Sequence, residues 1–320
     1  MQIAVTGSMA YDYLMTFPGK FREHILGEKS QALTVSFLVD SMRRLRGGVA
    51  GNVSYNLALL GERPLLLSAV GQDFDSYREF LEKAGVQTYP SKTIESDFTA
   101  SCFINTDQVN SQIVAFYPGA MSHSKELSIH SLKLSPRDWV VISPTDPAAM
   151  QKYVDECCEL EVPYIFDPGK QTPRLDKEQI ISGIQTAAVL IGNDYEFAMM
   201  AQKTGKTEQA LRSSVPLCII THGKEGSVVY SKGKAESIPV APISELRDPT
   251  GAGDAYLAGF TFGISRRLPL ALCGRIAAVT AAYAVEEVGC QEHRFSKGEF
   301  VQRFIDAFGD SLELRNALLH

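Results

Sequence analysis

The stretch DPTGAGDAYLAGF, residues 248–260, sets a bare aspartate directly behind two glycines and in front of an apolar run. Gly251 and Gly253 leave the backbone N–H groups of Gly251, Ala252 and Gly253 uncovered by bulky side chains. From Asp254 onward, Ala255, Tyr256, Leu257, Ala258 and Phe260 read as a buried helix, so the glycines fall at a helix N-terminus. Unpaired N–H groups and the macrodipole favour an anion there. The plain reading makes Asp254 a helix cap, as aspartates often are. Two glycines, a preceding Thr250 and a first-turn carboxylate exceed what a cap needs, and suit an anion hole beside a general base. The same dipole predicts that Asp254 is held in its charged form.

Two further groups carry chemical potential. Asn193 and Glu196 stand one helical turn apart, so both side chains can face the same way. Such a pair could hold the water shell of Mg²⁺, which keeps several waters and takes few carboxylates. An ordinary capping pair accounts for them equally. Gly47-Gly48-Val49-Ala50-Gly51-Asn52 opens another helix, and three glycines there predict a ligand touching the backbone. Asn52 is then either an N-cap or a ligand-facing polar group. Gly205-Lys206-Thr207 imitates the end of a P-loop, but Met200 occupies the required earlier glycine position and no strand directly precedes it.

The elements that would position these residues alternate. Apolar strands are expected at IAVTG (3–7), PLLLSAVG (64–71), WVVISP (139–144), PYIFDPG (163–169), AAVLIGN (187–193) and LCIITHG (217–223), the last forming a hairpin-like pair with 226–233. Helices are expected from Asn52 to Gly61, at 76–85, 147–161, near 176–186 and 195–214, and at 252–266, 269–287 and 297–308. Strands alternating with helices imply an α/β fold with a mainly parallel sheet covered on both faces. Period-2 segments at 33–40 and within 88–118 (TYPSKTIES, TASCFINTD, SQIVAFYPG) predict a smaller sheet, split between two segments, that acts as a lid. Open parallel sheets bind ligands at the carboxyl ends of their strands. Gly7, Ser8 and Asp12, then Gly71, Asp73 and Asp75, Asp167, Asn193 and Glu196, and Thr221, Gly223 and Gly226 all fall at such ends.

The totals exclude several classes. A chain of 320 residues with 45% hydrophobic and 21% charged content suits one large soluble domain. A net charge of −6 without a basic run argues against nucleic acid as a partner. No apolar run spans a bilayer, and MQIAVTGS lacks the basic start of a signal peptide, so a cytoplasmic protein is expected. Cys102, Cys157, Cys158, Cys218, Cys273 and Cys290 lack C-x-x-C spacing and are expected as buried thiols in a reducing compartment. The six histidines show no zinc spacing.

With these residues in view, the chain resembles the ribokinase-like (PfkB) family of sugar and nucleoside kinases. GGVAGNVSYNLALLG (47–61), continuing to Gly71, and DPTGAGDAYLAGF match that family's two signatures. NDYE (193–196) fits its N-x-x-E motif and THGKEG (221–226) its nucleotide loop. Within the family, AVTGSMAYDYLMTFPGKF (4–21), VSFLVD (35–40), GGVAGN (47–52) and FYPGAMS (116–122) look like the bacterial adenosine kinase group.

The resemblance implies a three-layer αβα domain over 1–320, with a β-sheet lid from about 12–46 and 88–118. It implies phosphorylation of the adenosine 5′-hydroxyl by ATP with Mg²⁺, giving AMP and ADP, in a homodimer joined through the lids. It places Asp254 as catalytic base and Gly251, Ala252 and Gly253 as the anion hole. Asp12 becomes the ribose ligand, with Ser8, Gly48 and Asn52 beside it, and Ser36 and Phe116 face the nucleoside from the lid. Asn193 and Glu196 hold the Mg²⁺–phosphate group, Glu196 through water. Thr221, Gly223 and Gly226 form the ATP loop, and K⁺ often binds near the anion hole in the family. The group often carries a second aromatic on the lid strand; here Cys102 takes that register and Phe103 points to the other face. A sugar kinase of ribokinase or fructokinase type, and a non-catalytic nucleoside sensor, are the competing readings.

Overall fold

The structure is a computed structural model that describes residues 1–24 and 35–319. Its first half runs β1 (Ile3–Thr6), β2 (Ala10–Thr16), α1 (Phe21–His24), β3 (Ser41–Gly47), α2 (Val49–Leu59), β4 (Leu65–Leu67), β5 (Ala69–Gly71), α3 (Asp75–Ala84), β6 (Lys92–Ile94), β7 (Ala100–Thr106) and β8 (Gln112–Tyr117). There follow β9 (Trp139–Ile142), α4 (Pro147–Glu159), β10 (Tyr164–Phe166), α5 (Lys177–Gln185), β11 (Val189–Asn193), α6 (Asp194–Thr204), α7 (Glu208–Ser213), β12 (Leu217–Thr221), β13 (Ser227–Ser231) and β14 (Lys234–Ile238). Four helices close the chain: α8 (Ala252–Ser265), α9 (Leu270–Val285), α10 (Lys297–Phe308) and α11 (Leu312–Leu319).

Apolar runs such as WVVI and VLIG need burial on both faces, and the main sheet provides it. Its order is β14-β13-β12-β11-β10-β9-β1-β4. Strands β4, β1, β9, β10, β11 and β12 are parallel, and β13 and β14 add an antiparallel edge as expected. Alternate residues enter opposite cores. Val5, Val141, Ile165 and Ile219 join the core of α2, α8, α9 and α10. Ala4, Val140, Phe166 and Ile220 join that of α4, α5 and α6. Each fully buried Val, Ile or Phe among them contributes about 1.5–3 kcal/mol, so the two cores dominate the energetics of the αβα layers.

The smaller sheet has the order β3-β2-β7-β8 and draws on both expected segments. Three details differ from expectation. Val35–Val39 form no strand, and Leu33 and Thr34 lie outside the described residues. The strand is β3, paired with β2 from Ser41 to Gly47. Its arginines are accommodated on aromatic surfaces: Arg44 lies over the Tyr11 ring at 4.5 Å and Arg46 over Phe80 at 3.9 Å. PLLLSAVG breaks at Ser68, whose hydroxyl donates to the Gly7 carbonyl at 2.7 Å and whose N–H donates to Ser91 Oγ. The chain beyond it, β5, leaves the main sheet and pairs with β6, so 88–96 also stands apart from the smaller sheet.

Candidate active site

The parallel strands end level with one another. Thr6 pairs with Ile142, Ile142 with Phe166, and Asn193 with Thr221. Gly7, Ser8, Asp167, Asn193 and Thr221 therefore lie along one sheet edge, as the sequence pattern requires. Ser8 ties the start of α2 to this edge: its Oγ accepts the Val49 N–H at 3.2 Å and its carbonyl accepts the Ala50 N–H at 3.1 Å.

At each of the three glycines of the α2 approach an added Cβ would meet protein atoms, so close packing by itself accounts for the missing side chains. A Cβ on Gly47 would overlap the Asp12 carboxylate. On Gly48, whose φ is +86°, it would strike the backbone of Ser8–Ala10. On Gly51 it would meet the Tyr77 hydroxyl and the Gln291 amide. Asn52 is not an N-cap, because Gly48 holds that position. From the first turn of α2 its Nδ2 donates to Asp254 Oδ2 at 2.7 Å. Asn52 itself is buried.

Helix α8 begins behind Gly251, held at φ +80°, where a Cβ would strike Cys290. Of the three expected donors, Ala252 turns its N–H back to the Pro249 carbonyl at 3.3 Å. Among the described residues no backbone carbonyl takes the N–H groups of Gly251, Gly253 or Asp254. The unpaired N–H groups at this helix start are thus those of Gly251, Gly253 and Asp254, and Ala252 is the one bonded within the turn. Nothing lies within 4 Å of a Cβ built on Gly253, so that glycine keeps the space before the helix open.

The Asp254 carboxyl is harder to ionise than a free one, yet stays mostly charged at neutral pH. Burial raises it to about 6; the Asn52 amide and Lys170 pull it down, while Glu196 and Asp12 push it further up. Desolvation outweighs the helix dipole at this depth, which reverses the expected direction. Asp12 is raised by burial, pulled back by Lys170 and pushed further up by Asp248. Asp167 is pushed well above its ordinary range by burial, then by Glu196 and Asp254. Glu196 is raised by burial, against the Asn193 N–H and Lys170.

Asn193 and Glu196 form a complete capping box. Asn193 Oδ1 accepts the Glu196 N–H at 2.8 Å, and Glu196 Oε2 accepts the Asn193 N–H at 2.8 Å. Glu196 Oε1 stays outside the box, and the like charge of Asp167 faces the carboxylate. Among the described residues no three His, Cys, Asp or Glu side chains are placed to hold a metal ion by themselves. Two carboxylates raised chiefly by burial, without a third ligand, fit a divalent ion held largely through water and phosphate oxygens.

Beside the N-terminus of α8 lies a pocket of about 340 Å³. Thr221, Gly223 and Gly226 line it together with Ala252 and Gly253. Its remaining wall is mostly apolar, including Ile243 and Leu246, with Lys224 and Ser227 among the exceptions, and Tyr256 bonds Ser227 Oγ at 2.6 Å.

On the smaller sheet, Asp12 pairs with Cys102 and Cys102 with Phe116, so all three share one face. Tyr13 and Phe103 stack on the other face, 4.8 Å apart and 12° from parallel. The preferred register of Cys102 therefore holds. Phe116 is half exposed. Ser36 is exposed outside any strand.

A model of the pfkB family of carbohydrate kinases matches residues 5–296. The chain belongs to this family. This PfkB kinase is 31% identical to a nucleoside kinase of Methanothermobacter thermautotrophicus over 96% of either chain. A structure of Burkholderia thailandensis nucleoside kinase with inosine superposes with a TM-score of 0.86 at 34% identity, covering 96% of this chain and 98% of that one. Thermotoga maritima ribokinase, at 22% identity, a TM-score of 0.78 and 96% and 99% coverage, shares the fold. As a PfkB kinase the protein is a phosphotransferase that uses ATP, with Mg²⁺ as kinases generally require. Among its described residues no helix is long and apolar enough to cross a membrane.

The sequence reading missed three residues of this PfkB kinase. Lys170 is the cation acting on Asp12, Glu196 and Asp254. It lies three residues beyond Asp167, itself placed only as a strand end. Gln291 reaches Asn52 from behind the site and Tyr77 backs Gln291, and no motif marks either. Cys157, Cys218, Cys273 and Cys290 are buried as expected, whereas Cys158 is exposed and Cys102 half-buried.

Proposed function

We propose that this PfkB kinase transfers the γ-phosphoryl group of ATP to the 5′-hydroxyl of a nucleoside, with adenosine as its acceptor. The supporting observation is the row Asp12–Cys102–Phe116 on one face of the smaller sheet. Two strand spacings, about 10 Å, separate Asp12 from Phe116. A bare pentose does not span that distance, whereas a ribose bound at Asp12 carries its base toward the Phe116 ring. The nucleoside kinases among the relatives, one of them solved with inosine, support the same substrate class.

In this reading the apolar pocket beside α8 takes the ATP base, with Thr221, Gly223 and Gly226 along its loop. The Gly251, Gly253 and Asp254 N–H groups receive the phosphate charge. Mg²⁺, near Glu196 and Asp167, supplies neutralisation of the phosphate oxygens when bound. Asn52 holds Asp254 Oδ2, leaving Oδ1 to accept the 5′-hydroxyl proton. Asp12 holds the ribose, and Lys170 balances the acids around it. The smaller sheet acts as a lid that excludes water as a rival acceptor. A second copy joined through the smaller sheets would cover its outward apolar side chains, Met42, Phe103 and Ile113 among them.

The experiment is a panel of adenosine, guanosine, inosine, cytidine, ribose and fructose with Mg·ATP, read as ADP release. Strong turnover with adenosine supports the proposal. Turnover confined to a free sugar overturns the nucleoside reading, and silence across the panel supports the sensor.

A further inference from the structure

The atoms behind Asn52 form a chain whose hydrogen-bond polarity is fixed at one end. The Gly47 carbonyl can only accept, and the Tyr77 hydroxyl donates to it at 2.9 Å. That uses the single hydroxyl proton, so Tyr77 Oη can only accept from the Gln291 amide beside it. The Gln291 atom facing Tyr77 is therefore Nε2, and its second proton goes to Asn52 Oδ1 at 2.8 Å. With its oxygen so engaged, Asn52 turns Nδ2 toward Asp254. The four residues come from α3, the segment after α9, α2 and α8. Tyr77, Gln291 and Asn52 are all buried.

Two observations argue that this chain is more than packing. The Gln291 Oε1 is buried and has no partner among the described residues. An unsatisfied buried acceptor costs about 1–3 kcal/mol, so this glutamine is placed for its nitrogen. Gly51 also lacks the Cβ that would stand 2.5 Å from Tyr77 Oη and 3.1 Å from Gln291 Nε2. The backbone of Asn52 is anchored separately: Asn56 Nδ2 donates to its carbonyl at 2.9 Å, and His293 Nε2 meets Asn56 Oδ1 at 2.8 Å.

We propose that Gln291 is a positioning residue for phosphoryl transfer: backed by Tyr77, it locks the Asn52 amide with nitrogen toward Asp254 and frees the second carboxylate oxygen for the acceptor hydroxyl. The proposal rests on the reading of Asp254 as the base. Without the lock, the Asn52 amide is free to turn its oxygen toward the carboxylate, which repels it.

The test is Gln291→Met, close in size and unable to donate, measured as kcat, KM and the pH profile with adenosine and Mg·ATP. A lost orientation at the reacting group costs ~100-fold in kcat. Both KM values should stay near wild type, because Gln291 touches neither substrate site. The acid limb should move upward, since the Asp254 carboxylate loses a fixed donor while Asp12, Asp167, Glu196, Lys170 and Cys290 still surround it. A simple packing role would lower the melting temperature and leave the pH profile in place, and that result overturns the proposal. Should Gln291→Met fail to fold, Tyr77→Phe removes the polarity anchor with little change of volume. Its kcat should fall with KM unchanged, and a wild-type kcat overturns the proposal. Asp254→Asn separates the two layers. Wild-type turnover in that variant removes the base and this proposal together, whereas loss of turnover there with normal Gln291→Met kinetics removes the positioning role alone.

Discussion

Asp254→Asn should make the protein more stable as it makes it inactive, and only over part of the pH range. The carboxyl is raised from its ordinary 3.8 to about 6, chiefly by burial. At about 1.4 kcal/mol per unit, that is a penalty of about 3 kcal/mol on the charged form. Asp254 is half-buried at a cleft, and cleft water reduces the figure to about 1–2 kcal/mol. The sign follows from the raised value. Below the unfolded chain's ionisation the carboxyl is protonated in both states and no penalty exists. As pH rises toward about 6 the unfolded chain ionises first and the native state is progressively disfavoured. Above that the penalty is constant. Asparagine keeps an oxygen for the Asn52 Nδ2 bond and carries no charge. The variant should therefore match wild type near pH 4 and exceed it by about 2–8 °C in melting temperature at pH 8. Its turnover should fall ~10²–10⁴-fold. Calorimetry at several pH values, paired with an ADP-release assay, reads both quantities. A melting difference independent of pH, or a variant less stable than wild type at pH 8, would refute the burial argument. Near-wild-type turnover would refute the base.

Other substitutions separate roles that overlap in space. Glu196→Gln keeps a side-chain oxygen for the Asn193 N–H, so the α6 cap and the melting temperature should survive while the Mg²⁺ needed for half-maximal rate rises; an unchanged Mg²⁺ titration would leave Glu196 a cap alone. Gly253→Ala meets no protein atom within 4 Å, so it should fold normally yet lose at least ~10-fold in kcat/KM for ATP by crowding the helix N-terminus. Phe116→Ala should raise the adenosine KM more than it lowers kcat, and an unchanged KM would remove Phe116 from the pocket. Cys102→Phe places a second ring on the same face and should lower the KM for adenosine without helping ribose; equal effects on both would contradict a base at that position.

Much of the fold was legible because its strands are continuous apolar runs and its helices end on glycine or a capping residue. Gly61, Gly85 and Gly205 follow α2, α3 and α6 closely. What misled were residues whose role depends on partners distant in sequence. The strand expected at 33–40 falls instead at Ser41–Gly47, where Tyr11 and Phe80 supply surfaces for Arg44 and Arg46. Ser68 looks like strand until Gly7 and Ser91 draw it out of the ladder. The candidate site divides the same way. Asp254, Asn193 and Glu196 announce themselves by spacing, and Thr221, Gly223 and Gly226 by lying at a strand end. Gln291 and Tyr77 carry no local pattern, since their contribution exists only where α2, α3, α8 and the segment after α9 converge. The direction of the Asp254 shift was hidden for a related reason: the dipole is written in the sequence, but the depth of the cleft is not.

The smaller sheet has one more consequence. Strand β8 is exposed along its whole length, and the separate apolar cluster against β2 and β7 consists of Ala10, Ala100 and Met121. Beyond the buried starts of β2 and β7 the sheet has little interior, so its outer part opens at low free energy and the amides there should exchange with solvent well before those of β9, β10 and β11. A base settling against Phe116 and Cys102 would give that sheet the interior it lacks. Binding would then carry the signature of a small folding reaction: a negative heat-capacity change and slowed exchange in β7 and β8. The substrate would be, for as long as it stays, part of the sheet's own core.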